Sequence, residues 1–258
     1  MLHVSISAEP LFHIGPLTVT NSLLTTWISM LLLIFLVWMG TRAIQLIPKN
    51  LGQNLWEMVL EFFIDLTTSI SGKTKAVIFL PLILTFFIFI LAMNWIGLIP
   101  GVGTIGIKHQ QSIESVEAHD DPEAQTPLTP IFRAGTADLN TTLALAIIAM
   151  FAVQYYAFRH IGLKAHLSKF INFSNPINFF VGILELISEF AKIISFAFRL
   201  FGNIFAGEVL LAVMAFLIPF LIPVPFLGLE IFVGLIQAFV FAMLTLVFLT
   251  LATEEHGH

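Results

Sequence analysis

Cysteine is absent from this chain of 258 residues, and charged residues make up only 10% of it. Without cysteine the chain can form neither a disulfide nor a thiolate metal site, and it lacks a cysteine nucleophile. Soluble domains carry about 25% charged residues, so a sequence this poor in charge is not that of an ordinary soluble protein. A basic patch is also missing, and the formal net charge of −5 therefore gives no indication of nucleic-acid binding.

The N-terminal sequence MLHVSISAEPLFHIGPLTV lacks the basic n-region of a secretory signal and the arginine-rich pattern of an organellar transit peptide. We therefore expect the first hydrophobic segment to be retained. Apolar residues, in contrast, are abundant: they make up 58% of the chain, with 27 phenylalanines against two tyrosines. They run along the whole sequence instead of marking one face of each element, which indicates an integral membrane protein.

Three apolar stretches are long enough to cross a membrane, which takes roughly 20 residues. They are residues 23–40, 76–100 and 139–158. Between the first two, residues 51–71 place Glu57, Glu61 and Asp65 at i, i+4 and i+8, on one stripe of an apolar helix. This pattern is typical of a helix in the plane of the membrane interface. A helix that packs on a partner and keeps a solvated acidic face fits it equally well.

The C-terminal part of the chain predicts a helical hairpin. As a straight helix, residues 177–218 would be roughly 63 Å long, about twice the thickness of the bilayer. This helix must therefore be steeply tilted, bent near Gly202 or Gly207, or nearly flat in the membrane. A proline-rich turn, IPFLIPVPF, leads to the returning helix over 226–251. The expected fold is all-α, a single membrane domain with about five membrane segments plus the in-plane helix.

The distribution of lysine and arginine predicts the orientation. The segments 41–75 and 159–176 together hold seven basic residues, whereas 101–138 holds only Lys108 and Arg133 beside six acids. This asymmetry places the N-terminus outside and the C-terminal tail inside. Within 101–138, the polar sequence HQQSIESVEAHDDPEAQTP predicts a mobile outer loop.

Arg199 lies in the apolar sequence ISFAFRLFGNIFAG, where inserting an arginine costs at least about 2.5 to 3.5 kcal/mol. Such a residue is a candidate functional group; the alternative is an arginine that snorkels to the interface or is paired inside its own fold. The nearest acids on this helix, Glu189 and Glu208, are about 15 and 13.5 Å away along its axis. The counter-charge must therefore come from another helix or another subunit. Because arginine keeps its proton, it acts as a fixed charge and not as a relay.

Polar residues continue from Arg199 along one face of the helix, at spacings of three and four. They are Ser188, Lys192, Ser195 and Asn203, extended toward the helix start by Glu185 and Glu189. A polar seam between packed helices is the alternative. The returning helix carries Glu230 and Gln237 on one face. If Arg199 lies level with Gln237, Glu208 and Glu230 lie together toward the outer surface. Glu185 and Glu189 then lie toward the inner surface. A proton translocator needs such a pair of acid-lined half-paths with a fixed positive charge between them.

Two sequences make a family resemblance specific: RLFGNIFAGE (199–208) and IQAFVFAMLTLVFLTLATEEH (236–256). With TADLNTT (136–142) and LFHIGPLTVTNSLLTTW (11–27), they make the chain resemble subunit a of F-type ATP synthases, the stator half of the membrane proton channel. The similarity spans nearly the whole chain. It implies a bacterial, multi-pass inner-membrane protein that works with a ring of c subunits, the b subunits of the peripheral stalk and the rest of the complex.

The resemblance also implies roles for individual residues. Arg199 matches the essential arginine that faces the carboxylates of the c ring. Two groups match the ion path: Glu208, Glu230, Asn203 and Gln237 on the outer side or beside the arginine, and Glu185, Ser188, Lys192 and Ser195 on the inner side. Glu185 and Glu189 both remain candidates for the inner acid. The resemblance implies no catalytic site, cofactor or metal in this chain, because ATP is made in a soluble head.

Three other functions fit the sequence less well. A secondary transporter is expected to have a repeated half with short interrupted helices, and the sequence shows no internal repeat. A haem-bearing membrane subunit needs histidines within its spans, whereas all eight histidines lie in tails, in loops or at a span end. A free-standing channel is disfavoured by the over-long hairpin, which suits a surface that wraps against a partner.

Overall fold

A computed structural model of the chain describes residues 8–15, 17–42, 44–45, 51–99, 106–108, 128–162, 166, 170, 176–217 and 223–254. Within these ranges, five helices are long and apolar enough to cross a membrane. They are α1 (Asn21–Thr41), α2 (Leu51–Gly97), α3 (Leu139–Ile161), α4 (Pro176–Leu217) and α5 (Pro223–Thr253). The predicted all-α membrane fold is confirmed.

Helix α2 is 47 residues long and is divided at Gly72, whose backbone has φ 75° and ψ 160°. Only glycine adopts this conformation readily, because any Cβ there meets the backbone. The predicted in-plane helix over 51–71 and the predicted span over 76–100 are thus two arms that meet at this glycine. The position of the first arm relative to the bilayer stays a prediction.

Helices α4 and α5 form the long C-terminal pair. Helix α4 has 42 residues and continues through both Gly202 and Gly207, neither of which has a positive φ. Since the helix does not break at either glycine, tilt or smooth curvature has to accommodate its length. Residues 218–222 of the predicted turn lie outside the described residues, and α5 begins at Pro223, a position in which proline loses no helical hydrogen bond.

Two short antiparallel hairpins were not predicted. Strand β1 (Pro10–Ile14) pairs with β2 (Leu17–Thr20), and β3 (Gly106–Lys108) pairs with β4 (Leu128–Pro130). The second hairpin and the segment after it belong to the predicted outer loop, 101–138. Segment 131–138 packs into the protein, and its residues 134–138 are buried. The part predicted to be mobile, 109–127, lies outside the described residues, as do Lys49, Lys164 and Lys169, on which the predicted orientation partly rests.

The apolar core lies between the second arm of α2, helix α3 and helix α5. Large side chains on α2, Phe79, Ile83 and Ile90, are fully buried. They pack with alanines 146 and 149 of α3 and with Ala242, Leu246 and Leu249 of α5 in one cluster. Small residues at such positions let membrane helices approach closely. Large apolar side chains elsewhere point outward, as expected where lipid replaces water as the solvent.

Buried polar contacts fix segment 131–138 against the helices. The Thr136 hydroxyl donates to Asn94 Oδ1 at 2.6 Å, and Asn94 Nδ2 donates to the carbonyl of Gly234 on α5 at 3.0 Å. Asp138 accepts from the Ser22 hydroxyl of α1 at 2.9 Å and caps the first turn of α3. Buried polar groups of this kind are stabilising because each has its partner. They hold one end of α1, α2, α3 and α5 together and thereby position the residue at the start of the segment, Arg133.

Candidate functional site

Arg199 lies on the exposed side of α4. Its guanidinium makes one weak contact with the Ser195 hydroxyl, at 3.5 Å, and lies 5.9 Å from the ring centre of Phe196. In the part of the chain that the structure describes, no acid lies within 4 Å of it. The sequence left two sources for the counter-charge, another helix or another subunit, and none of the described helices supplies it.

The contact between α4 and α5 is set by an amide pair. Asn203 Nδ2 donates to Gln237 Oε1 at 2.7 Å, and Gln237 is only 4% exposed. The sequence analysis assumed that Arg199 lies level with Gln237, whereas the residue that bonds Gln237 is Asn203, one helical turn further along α4. A spacing pattern gives the face of each helix but cannot give the axial offset between two helices, which depends on how their side chains interlock.

Glu208 is paired with a residue that the sequence analysis did not assign to the site. Arg133 Nε donates to Glu208 Oε2 at 3.1 Å, and the two side chains are only 10% and 27% exposed. The backbone N–H of Ala134 also hydrogen-bonds this carboxylate. Arg133 was counted only as a charge of the outer loop. Its place three residues before TADLNTT, beside an otherwise acidic segment, is the one signal that set it apart.

Glu230 lies beside this pair but has a different environment. It is 6% exposed, and its carboxylate packs directly against the α4 backbone at Gly207, where a side chain as small as a methyl group would overlap it. Among the described residues, no cation lies within 4 Å of it and no side chain or backbone amide donates to it. Glu208 and Glu230 therefore come together at one end of the hairpin, one with a partner and one without.

A small cavity separates the two glutamates from α2. It is lined by Asn94, Gly97, Leu98, Ala134, Ile204, Glu208 and Glu230, and its volume is about 10 Å³, close to what a single water molecule needs. The cavity is polar on the glutamate and asparagine side and apolar elsewhere. One water there can bridge acidic groups that do not touch each other.

A second polar cluster lies on the other side of Arg199. Lys192 Nζ donates to Glu189 Oε1 at 2.6 Å, and Gln154 Nε2 of α3 donates to Glu189 Oε2 at 3.0 Å. His166 Nε2 lies 2.7 Å from Gln154 Oε1; because an amide oxygen only accepts, this ring nitrogen carries the hydrogen. We call these four residues the inner cluster. It connects α4 through α3 to the buried ring of His166, which is 4% exposed.

The remaining residues of the predicted inner path stay on the surface. Glu185, Ser188 and Ser195 are exposed on α4, like Arg199 and Asn203, and together these five residues form the exposed polar stripe. The structure thus divides the predicted set in two, because Glu189 and Lys192 bind each other and Glu189 turns toward α3. Spacing alone places Glu185, Ser188, Glu189, Lys192, Ser195, Arg199 and Asn203 on one face of α4. It does not show that the side chains of Glu189 and Lys192 turn inward.

Gln154 and His166 were missed in the sequence. Gln154 is the one amide in the apolar interior of α3, a pattern that often marks an interhelical hydrogen bond, so a signal was available. His166 comes after the end of α3 in the sequence and gave no periodic signal, because its burial depends on Phe158 and Phe170, whose rings lie 4.7 and 5.4 Å from its own.

The geometry suits the transfer of a small cation along acids on both sides of a fixed charge. Along α4, Glu208 lies about 13.5 Å from Arg199 in one direction and Glu185 about 21 Å in the other. An arginine between them cannot accept a proton and repels a cation that tries to pass directly.

Comparison with known proteins gives a consistent family. The family described as ATP synthase A chain matches residues 23–250. The chain is 34% identical to ATP synthase subunit a of Moorella thermoacetica over 248 residues, which cover 96% of each chain. It is 34% identical to ATP synthase subunit a of Gloeobacter violaceus over 254 residues, covering 98% of this chain and 92% of the relative. It is 31% identical to the Legionella pneumophila subunit over 245 residues, covering 95% and 91%.

Proposed function

The chain belongs to the family of ATP synthase A chains, and from that membership we propose that it forms two half-channels that deliver protons to, and remove them from, a ring of c subunits. As a member it is the proton-translocating, non-catalytic membrane subunit of an F-type ATP synthase. The finer proposal concerns which of its residues carry the protons and how they meet the ring.

The exposed polar stripe is the proposed face toward the ring. Arg199 is exposed and has no acid within 4 Å among the described residues. A cation in that position is unfavourable in lipid but favourable opposite a carboxylate. A passing ring carboxylate supplies this partner, gives up its proton near Arg199 on the inner side and takes a new one on the outer side. Net proton flow then turns the ring and drives ATP synthesis.

The outer half-channel is proposed to end at Glu208 and Glu230, with Asn203 and Gln237 between these acids and the arginine. Glu208 and Glu230 line a common cavity large enough for about one water molecule. The hydrogen bond between Asn203 and Gln237 closes the direct route along the helix pair, because neutral amides do not take up a proton near neutral pH. Protons must therefore move onto the ring before they reach Arg199.

The inner half-channel is proposed to run along Glu185, Ser188 and Ser195 of the exposed polar stripe. Glu189 and Lys192 support it from behind, because their mutual pairing at 2.6 Å leaves Glu185 as the acid that faces outward. The two acids of the inner side therefore have different proposed roles. Glu185 carries the proton, and Glu189 holds the inner cluster together.

The proposed surroundings follow from the same family membership. The protein lies in a bacterial inner membrane with its N-terminus outside and its C-terminus in the cytoplasm, as its lysines and arginines predict. Its partners are the c ring, the b subunits of the peripheral stalk and the rest of the complex. Co-purification with a small oligomeric two-helix protein tests the ring partnership, and its absence would count against that partnership.

The observation that carries the proposal is the exposed position of Arg199 without an acidic partner among the described residues. We expect Arg199→Ala to abolish ATP-driven proton pumping while the protein still inserts and assembles. Quenching of a pH-sensitive dye in membrane vesicles measures pumping, and immunoblotting measures the assembled subunit. Arg159→Ala is the matched control, because this arginine is also exposed but lies in the last turn of α3. Normal pumping by the Arg199 variant would refute the proposal.

A further inference from the structure

Lys192 and Arg199 are the two cations of α4, and their surroundings differ. Lys192 Nζ lies 2.6 Å from Glu189 Oε1. Arg199 has no acid within 4 Å among the described residues. Its guanidinium carbon lies over the phenyl ring of Phe196, 5.9 Å from the ring centre, and its one hydrogen bond, to Ser195, is weak at 3.5 Å. Arg199 therefore lies against a phenyl ring where Lys192 has a carboxylate.

The phenyl ring of Phe196 is held by neighbours on two other helices. It is only 3% exposed, and its centre lies 4.9 Å from the ring centre of Phe241 and 5.6 Å from that of Phe248, both on α5. The ring of Phe241 packs in turn on that of Phe86 of α2, at 5.4 Å. Because edge-to-face contacts favour particular ring orientations, the place of the Phe196 ring is set by α2 and α5 as well as by α4.

The same set of rings also contacts Lys192. The Nζ atom lies over the ring of Phe248, 5.0 Å from its centre, and this ring is the one that packs on Phe196. Since the carboxylate of Glu189 already balances the charge of Lys192, the Phe248 ring is a minor partner there. For Arg199, which lacks such an acid among the described residues, the Phe196 ring is the main one.

A phenyl ring suits a cation that has to bind a carboxylate and release it again. The face of the ring carries partial negative charge and attracts a guanidinium within about 6 Å of the ring centre. This attraction is larger where water is excluded, as it is around a ring as buried as that of Phe196. Unlike a carboxylate of the same chain, the ring does not neutralise Arg199, whose charge and N–H donors stay available to an external acid.

We propose that Phe196 is a positioning residue whose phenyl ring holds and stabilises the Arg199 guanidinium while no carboxylate of the c ring lies opposite it. The proposal rests on the proposed function, because it concerns how Arg199 passes from one c-ring carboxylate to the next. By stabilising the state of Arg199 that has no carboxylate, the phenyl ring lowers the free-energy cost of releasing the departing one. Without this ring, release is slower and so is the rotation of the c ring.

The test weakens the negative charge on the ring face and changes the shape of the ring very little. Phe196 is replaced in the whole complex by phenylalanines that carry one, two or three fluorine atoms, which withdraw electrons from the ring face. The rate of ATP-driven proton pumping per assembled complex is expected to fall stepwise, by about threefold to tenfold over the series. A rate that stays level or rises with fluorination would overturn the proposal. One and two fluorine atoms give the trend even if the most fluorinated protein does not assemble.

Phe63 is the matched control for effects of aromatic packing. It is 1% exposed, and its ring centre lies 4.8 Å from that of Phe87 and 5.4 Å from that of Phe62. In the part of the chain that the structure describes, no cation lies over its ring. The same fluorinated series at Phe63 is expected to leave the pumping rate per assembled complex unchanged. An equal stepwise fall at Phe63 would mean that fluorine acts through packing, and the role of Phe196 would be wrong.

A pair of ordinary variants makes the same comparison. Phe196→Leu and Phe63→Leu each remove a buried ring and are both expected to lower the amount of assembled complex. Only Phe196→Leu is also expected to lower the pumping rate per assembled complex, by about threefold to tenfold. Equal rates per assembled complex in the two variants would contradict the proposal.

Failure of this proposal and failure of the proposed function give different results. If only the role of Phe196 is wrong, the fluorinated series is level and Arg199→Ala still does not pump. If the proposed function is wrong, Arg199→Ala pumps normally. Measuring Arg199→Ala in the same vesicle preparation therefore separates the two.

Discussion

Gly207→Ala is the sharpest structural perturbation of the outer acids, because it adds a single methyl group without changing any charge. Gly207 immediately precedes Glu208, and the carboxylate of Glu230 occupies the space in which its Cβ would lie. The atoms that the added Cβ would meet are the flexible end of the Glu230 side chain, so this carboxylate has to move to make room.

The size of the effect can be worked out from this overlap. Non-bonded carbon and oxygen atoms approach to about 3.5 Å, so the carboxylate has to move by roughly 1 Å. Replacing a helical glycine by alanine itself stabilises a helix by about 1 kcal/mol, which offsets much of the strain in the folded protein. A displacement of about 1 Å at a reacting group can nevertheless lower a rate by about a hundredfold. We therefore expect nearly unchanged assembly and a fall in proton conduction of about tenfold to a hundredfold.

Gly228→Ala is the matched control. Gly228 lies on α5, two residues before Glu230, and a Cβ added there meets nothing within 4 Å. Both variants gain the same helix propensity, so passive proton conduction through vesicles isolates the effect of the overlap. Equal conduction by the two variants would show that the position of the Glu230 carboxylate does not limit proton entry, and the reasoning about the outer acids would be refuted.

Two further predictions concern stability. Gly72→Ala is expected to destabilise the protein by about 1 to 3 kcal/mol because of the backbone conformation at the junction of the two arms of α2. Gly52→Ala is the control, because a Cβ at Gly52 meets no atom within 4 Å, and it is expected not to destabilise the protein. Equal midpoints of thermal unfolding of the two variants in detergent would contradict this. Gln154→Leu removes the donor that binds Glu189 and is expected to cost about 1 to 3 kcal/mol. Unchanged stability of that variant would mean that Lys192 alone holds the carboxylate.

The membrane fold was predictable because a lipid environment determines the amino-acid composition of the segments that cross it. Lipid requires continuous apolar helices, and each of the five long helices coincides with an apolar stretch visible in the sequence. The two hairpins and the buried segment 131–138 were not predictable in the same way. Their residues carry no strong period, and their burial depends on partners far along the chain, such as Ser22 for Asp138 and Asn94 for Thr136.

The sequence predicted which site residues share a face of one helix, but not which residues pair between helices. Residue spacing placed Arg199 on an apolar helix and excluded a counter-charge on that helix, and the described contacts agree with this. The pairing of Glu208 with Arg133 and of Glu189 with Gln154 joins residues 75 and 35 positions apart. Such pairs depend on tertiary packing, which local periodicity does not encode.

The outer and inner halves of the site have the same pattern of ion pairs. On the outer side Arg133 neutralises Glu208, and on the inner side Lys192 neutralises Glu189. Each side then keeps one acid, Glu230 or Glu185, that has no cation within 4 Å among the described residues. A paired acid changes protonation only at the expense of its partner, whereas an unpaired acid is free to do so, as the proposed function requires on each side. Arg199 lies between them with no acid within 4 Å among the described residues, and in the proposed function a passing ring carboxylate neutralises it.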